Sequence, residues 1–244
     1  MKTYCINLER AKDRRLQIEK EFAREQLDVE FIKAFDSKAN GITQENVRWE
    51  IHPGEFGCLM SNYKVWEDMI THDHPMALII EDDIQLIPEF KNKIEKLKLP
   101  PVWDIIYLEY VSPIFENDFN EDLNEGRCLG TMCYMISLEC AKKLIQFDPH
   151  DWRGADKQLC LLPLKFFYTK ERFAEHDLMN SGIGVQIDRI PVLHNSVWVE
   201  RKFGRVIAIL LLVFLLYVLY LKNSKWIHSS TYVSYFTRAF GSMS

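Results

Sequence analysis

Three adjacent acids, Glu81, Asp82 and Asp83, close an apolar run over residues 76–80 that reads as a β-strand. Acids abutting a buried strand are costly unless something cationic meets them. Side chains alternate along an extended backbone, so Glu81 and Asp83 point to one side and Asp82 to the other. Two carboxylates on one side can hold a hard divalent ion whose other positions go to water and phosphate oxygens. That is the usual way of handling a nucleotide diphosphate. The competing reading is an acidic turn that caps the next helix, since Pro88-Glu89-Phe90 looks like a helix start.

The elements that must position these acids follow from hydrophobic periodicity. Strands are predicted over residues 4–8, 29–35, 76–81, 103–109 and 128–136, with shorter ones near 164–168 and 185–190. Helices are predicted over residues 11–26, 55–70, 89–97, 138–147 and 155–162. In the second of these, Leu59, Tyr63, Trp66 and Ile70 fall at helical spacing and form a core stripe. Ser137 stands where it caps the fourth, and residues 37–53 are loop-like. Alternating strands and helices predict an α/β sandwich with a mostly parallel central sheet. Ligands of such sheets sit at the carboxyl ends of strands. Arg10, Asp36 and the acidic triplet all follow strand ends, so they gather on one rim.

The 244 residues, 48% of them hydrophobic, suit one domain of roughly 200 residues plus an appendage. A net charge of -5 without a basic, aromatic-interleaved stripe excludes nucleic acid as a partner. The six cysteines form no CxxC pair, which argues against a zinc site and for buried thiols in a reducing compartment. His72-Asp73-His74 resembles a ligand cluster but reads as a solvated turn in the break before a strand, and His194 reads as structural. Residues 206–221 carry no charge, are flanked by Arg201, Lys202, Arg205, Lys222 and Lys225, and include the interfacial aromatics Tyr217 and Tyr220. At about 1.5 Å per residue the run covers about 24 Å, and it lengthens through Phe203 and Gly204 if Arg205 snorkels. The expectation is a catalytic domain over 1–200, a single-pass membrane anchor over 201–222 and a short tail over 223–244. The opening residues read as a strand rather than a signal peptide, so the catalytic domain is expected in the cytosol.

Four segments in order carry a resemblance. They are Ile6-Asn7-Leu8-Glu9-Arg10 with Asp13-Arg14-Arg15, Ala34-Phe35-Asp36-Ser37, Gly54-Glu55-Phe56-Gly57-Cys58 through Ser61, and Leu78-Ile79-Ile80-Glu81-Asp82-Asp83. The chain resembles glycosyltransferase family 25 in these segments, and again in Trp103 to Leu108 and Gly130 to Ser137. This is the family of bacterial lipopolysaccharide galactosyltransferases and of the collagen galactosyltransferase domain. Two positions depart from its pattern: Asn62 stands where the family has His, and Ser37 where it has Gly. Asn keeps a hydrogen-bonding side chain but takes up no proton at neutral pH.

The resemblance implies a GT-A-like fold and inverting transfer of a hexose, galactose above all, from a UDP-sugar to a hydroxyl of a glycan, glycolipid or protein. It implies Mn²⁺ or Mg²⁺ on Glu81 and Asp83, with Asp82 facing the sugar hydroxyls or a helix N-terminus. Arg10 and Arg14 then grip phosphate or solvate a helix face, and Asp36 binds uracil or ribose or forms a turn. Glu55, Ser61 and Asn62 match donor-site positions, although Glu55 is equally a first-turn helix acid. Asp156, opening a short helix, is either the base that inversion requires or a helix-start acid. The rival is a membrane-tethered relative without activity, which binds a nucleotide-sugar or a partner and is motivated by Asn62. A phosphatase with an acidic strand end is disfavoured, because the first acid is Glu and lies deep in the chain.

Overall fold

The computed structural model describes residues 1–152 and 154–176. In chain order its elements are β1 (Lys2–Asn7), α1 (Lys12–Glu25), β2 (Glu30–Lys33), α2 (Pro53–Thr71), β3 (Met76–Glu81), β4 (Ile84–Leu86), α3 (Phe90–Lys96), β5 (Ile105–Glu109), β6 (Pro113–Asp118), β7 (Leu123–Cys128), β8 (Cys133–Ser137), α4 (Leu138–Leu144), α5 (Ala155–Leu159), β9 (Phe166–Thr169) and β10 (Ala174–His176). Eight strands form one sheet in the order β2-β1-β3-β8-β5-β9-β7-β6, and β4 pairs with β10 in a separate two-stranded sheet.

The sheet is apolar on both faces because helices cover both. Alternate residues serve opposite cores: Ala77 and Ile79 of β3 join one cluster with Leu59, Trp66, Leu144 and Leu159 from α2, α4 and α5. Leu78 and Ile80 join the other, with Ile18 and Phe22 of α1 and Phe90 of α3. This is why β3 reads as a continuous apolar run rather than an alternating one. The predicted α2 stripe is core, with Leu59 and Trp66 fully buried and Tyr63 nearly so. The Ser137 cap also forms, its side chain accepting a hydrogen bond from the Cys140 amide.

The sheet is mostly parallel in strand direction, as expected, with two strands set against the rest. Among the described residues β1 pairs in parallel with β2 and β3, and β5 with β9. The other ladders, β3–β8, β5–β8, β6–β7 and β7–β9, are antiparallel. Six strands run one way, and β7 and β8 are inserted against them. The strand predicted over residues 128–136 splits at Gly130, whose φ of 105° breaks the extended run. Its front part becomes the end of β7 and its back part becomes β8. The β6–β7 hairpin, β4 and β10 were not predicted. Among the described residues no helix is long and apolar enough to cross a membrane. The predicted strand at 185–190, His194 and the apolar run at 206–221 lie outside the described residues.

Candidate active site

A cavity of about 460 Å³ opens at the carboxyl ends of β1, β2 and β3. Parallel pairing of these strands brings Arg10, the Asp36 turn and the acidic triplet to one rim, as the sequence predicted. The N-terminal half of α2 supplies the facing wall through Gly54, Gly57, Cys58 and Ser61. Lys38, Thr43 and His52 also line it, and sequence reasoning did not single them out.

The glycine-rich start of α2 is a docking device. Ser61 Oγ accepts from the Phe35 amide at 2.8 Å and donates to the Gly57 carbonyl at 2.6 Å, while Ser37 Oγ donates to the Pro53 carbonyl at 2.6 Å. A Cβ on Gly57 would lie 2.5 Å from Ser37 Oγ and 2.8 Å from the Phe35 carbonyl oxygen. Gly57→Ala is therefore expected to cost about 1–3 kcal/mol, the range for overpacking. It should also push the Asp36 turn outward. Chemical denaturation reads the first effect and nucleotide affinity the second; an unchanged midpoint would mean that the turn yields freely.

The triplet does not simply alternate: the strand ends at Glu81, and in the turn that follows the guanidinium of Arg14 meets Asp82 and Asp83 together. Asp82 turns inward, accepting from Asn7 Nδ2 and pairing with Arg14 Nη2 at 3.0 Å. Both of its oxygens are held by the fold's own groups, and the residue still lines the cavity. Arg14 also pairs with Asp83 Oδ2 at 2.9 Å and is only 21% exposed, so it serves the carboxylates first and phosphate second. Glu81 Oε1 accepts from Thr131 Oγ1 at 2.9 Å and from Cys58 Sγ at 3.4 Å. Burial, then the charge of Asp83, raises the Glu81 carboxyl to about 7.

The residue that sequence reasoning missed is His176. The pairing of β10 with β4 sets it opposite Ile84, beside the triplet, with Nε2 3.6 Å from Asp83 Oδ1. Burial lowers its pKa, but the carboxylates of Asp83, Glu81 and Glu109 outweigh burial and raise it overall. Asp83 Oδ1 and His176 Nδ1 are both buried with no hydrogen-bond partner among the described residues. An unpartnered carboxylate oxygen beside an imidazole nitrogen offers two donors of the kind Mn²⁺ accepts, but the described residues do not bring Glu81 into one three-ligand group with them.

The remaining predicted residues divide between rim and scaffold. Arg10 Nε donates to Asp36 Oδ2 at 2.7 Å, which holds that carboxyl below its usual range, and Asp36 Oδ1 accepts from the Ala39 amide at 3.2 Å. Asp36 is therefore a turn-former whose turn lines the cavity. Glu55, Asn62 and Asp156 do not line it. Glu55 closes a capping box on the His52 amide at 2.6 Å and pairs with Lys157 at 2.9 Å, the first-turn acid of the alternative reading. Asn62 is fully buried: its Oδ1 accepts from Tyr134 OH at 2.6 Å and its Nδ2 donates to the Cys58 carbonyl at 3.0 Å. It acts on the cavity only by fixing Cys58. Asp156 accepts from the Lys157 and Gly130 amides at 2.7 and 3.2 Å, and burial raises its pKa.

The family model described as glycosyltransferase family 25 (LPS biosynthesis protein) matches residues 1–124. Procollagen galactosyltransferase 2 of Mus musculus is 30% identical over 176 residues, covering 60% of this chain and 27% of that protein. A glycosyltransferase 25 family member of Anopheles gambiae is 31% identical over 169 residues, covering 60% and 28%. A probable inactive glycosyltransferase 25 family member 3 of Bos taurus is 33% identical over 108 residues, covering 39% and 18%. The chain spans little more than a quarter of the length of the galactosyltransferase it matches.

Proposed function

Because this chain belongs to glycosyltransferase family 25, we propose that its rim cavity binds a UDP-hexose, galactose above all, and transfers the sugar with inversion to a hydroxyl of a glycan, glycolipid or protein. The observation that carries this is the unpartnered Asp83 Oδ1 beside His176 at the mouth of the parallel strands. The cavity's volume falls within the roughly 300–1,000 Å³ of small-molecule sites. Asp83 and His176 would hold Mn²⁺ or Mg²⁺. When bound, the ion supplies positive charge against the diphosphate that leaves.

The chain's own groups do the rest. Arg14 fixes Asp83 and Asp82 so that neither drifts from the rim. Arg10, about half exposed and anchored on Asp36, presents its remaining guanidinium N–H groups to phosphate or ribose oxygens. Thr131 and Cys58 orient Glu81. Asp156, held by one backbone amide on each carboxylate oxygen, keeps a free lone pair with which to accept the acceptor hydroxyl's proton. In this reading the run at 206–221 anchors the domain to a membrane with the catalytic domain on the cytosolic side. A chain ending after Arg201 then leaves the membrane fraction, and one that still pellets counts against the anchor.

The description of the bovine relative as probably inactive, together with the buried Asn62, favours a second reading in which the cavity binds without turnover. A thermal-shift screen of nucleotide-sugars with Mn²⁺, followed by a donor-consumption assay, separates the two. A UDP-hexose at about 100 times its Kd should stabilise the chain by about 2.7 kcal/mol. Binding without consumption selects the second reading, and no shift with any nucleotide-sugar defeats both.

A further inference from the structure

At the far end of α2 from the cavity, three potential ligands converge. Asp68 lies in the last turn of the helix, His72 is its C-cap, and His74 follows in the link to β3. One carboxylate oxygen of Asp68 and one ring nitrogen of each histidine lie within 4.8 Å of one another. We propose that Asp68, His72 and His74 form a second metal site, which takes Zn²⁺ and is separate from the hard-cation site on the rim.

The local chain builds this cluster. Asp68 and His72 are one helical turn apart and so share a face. Asp73 then adopts a left-handed conformation, with φ of 52°. Its amide bonds the Ile70 carbonyl at 3.2 Å and the His74 amide bonds the Met69 carbonyl at 3.0 Å. This reversal brings His74 back over the last turn, where its ring stacks on that of His72 with centroids 5.7 Å apart.

The groups behind the ligands hold them in place. Tyr4 OH donates to Asp68 Oδ2 at 2.6 Å, fixing the carboxylate. His72 Nδ1 lies 2.9 Å from the Asp68 carbonyl oxygen, which takes its proton and leaves Nε2 with its lone pair. A ligating histidine oriented by a carbonyl and a ligating carboxylate that is itself hydrogen-bonded are the usual supports of a zinc site. The nearby ammonium of Lys2 is already paired with Glu30 at 2.5 Å. Two imidazoles and one carboxylate match zinc's preference for nitrogen with an open fourth position, whereas Mg²⁺ prefers oxygens throughout. Ligand atoms around zinc stand about 3.3 Å apart for bonds of about 2.0 Å, so the set, already within 4.8 Å, closes by a small shift of the exposed His72 and half-buried His74 side chains. From Gly54 to Asp68 at about 1.5 Å per residue, the two sites lie about 20 Å apart.

The test is zinc titration of the untagged 244-residue chain against a chromophoric chelator, beside a His72→Gln/His74→Gln double variant checked by circular dichroism. The wild type should bind one more Zn²⁺ per chain than the double variant, and zinc should raise its Tm while leaving that of the double variant unmoved. With Cu²⁺ as probe, the wild-type paramagnetic resonance spectrum should show nitrogen splitting that the double variant lacks. Equal zinc stoichiometry and affinity in the two chains overturns the proposal, as does a wild type whose zinc is all displaced by a UDP-sugar with excess Mn²⁺. Should the double variant misfold, Asp68→Asn, which keeps the Tyr4 hydrogen bond, must weaken zinc at least tenfold; unchanged affinity overturns the proposal equally.

Discussion

Asp83→Asn is expected to lower metal-dependent sugar transfer by at least about a hundredfold while leaving the fold intact. The substitution preserves shape and removes one charge. Arg14 keeps its contact with Asp82, so the helix that carries it stays docked. What is lost is the buried, unpartnered oxygen facing His176. The charge of Asp83 also helps hold the Glu81 carboxyl near 7, so its removal lets Glu81 ionise at lower pH. The variant should therefore fail to respond to Mn²⁺ while its circular dichroism spectrum and denaturation midpoint stay near wild type. A variant that turns over UDP-hexose at the wild-type rate with Mn²⁺ removes Asp83 from the metal assignment.

Trp66→Ala is expected to cost about 3–5 kcal/mol, a large part of the roughly 5–15 kcal/mol that holds a domain together. Trp66 is fully buried and its ring lies 5.0 Å from Tyr63 and 5.9 Å from Trp152. It joins α2 to the short turn Pro149–Asp151 after α4 and, through an N–H donated to Tyr134 OH at 3.1 Å, to the central strand β8. Trp66→Phe keeps most of the packing and drops the hydrogen bond, so it should cost about 1–3 kcal/mol. Urea denaturation of both variants divides the effect between ring volume and hydrogen bond. Equal losses would mean that the polar link, not the packing, secures α2.

The parts of this molecule that were legible in the sequence are those set by local pattern. The bounds predicted for β3 are those observed, because an apolar run ending in three acids admits one reading. The α2 stripe was legible from its spacing. The same spacing carried a signal about Asn62 that motif matching obscured. Asn62 lies between Leu59 and Trp66 at three- and four-residue steps, on the buried face, and so belongs to the helix core before it belongs to a ligand site.

What escaped depends on contacts distant in sequence. Arg14 meets Asp83 across 69 residues, and nothing in the helix pattern indicates that its guanidinium lands on two carboxylates. His176 reaches the triplet only because a three-residue strand pairs with β4 some ninety positions earlier. The β6–β7 hairpin lacks clean alternation and carries a register shift between Phe115 and Asn117, which erases the period that would reveal it.

The insertion of β8 between β3 and β5 bears on how the chain is made. As synthesis proceeds, the nascent polypeptide exposes β1, β2 and β3 early, yet the neighbour that covers the open side of β3 is encoded some fifty residues later. A ribosome paused before residue 133 therefore holds a half-sheet with an apolar, unpaired border, the kind of surface that recruits chaperones. A fragment trimmed to residues 1–124 would inherit the same raw border, so the autonomous folding unit must run at least through β9.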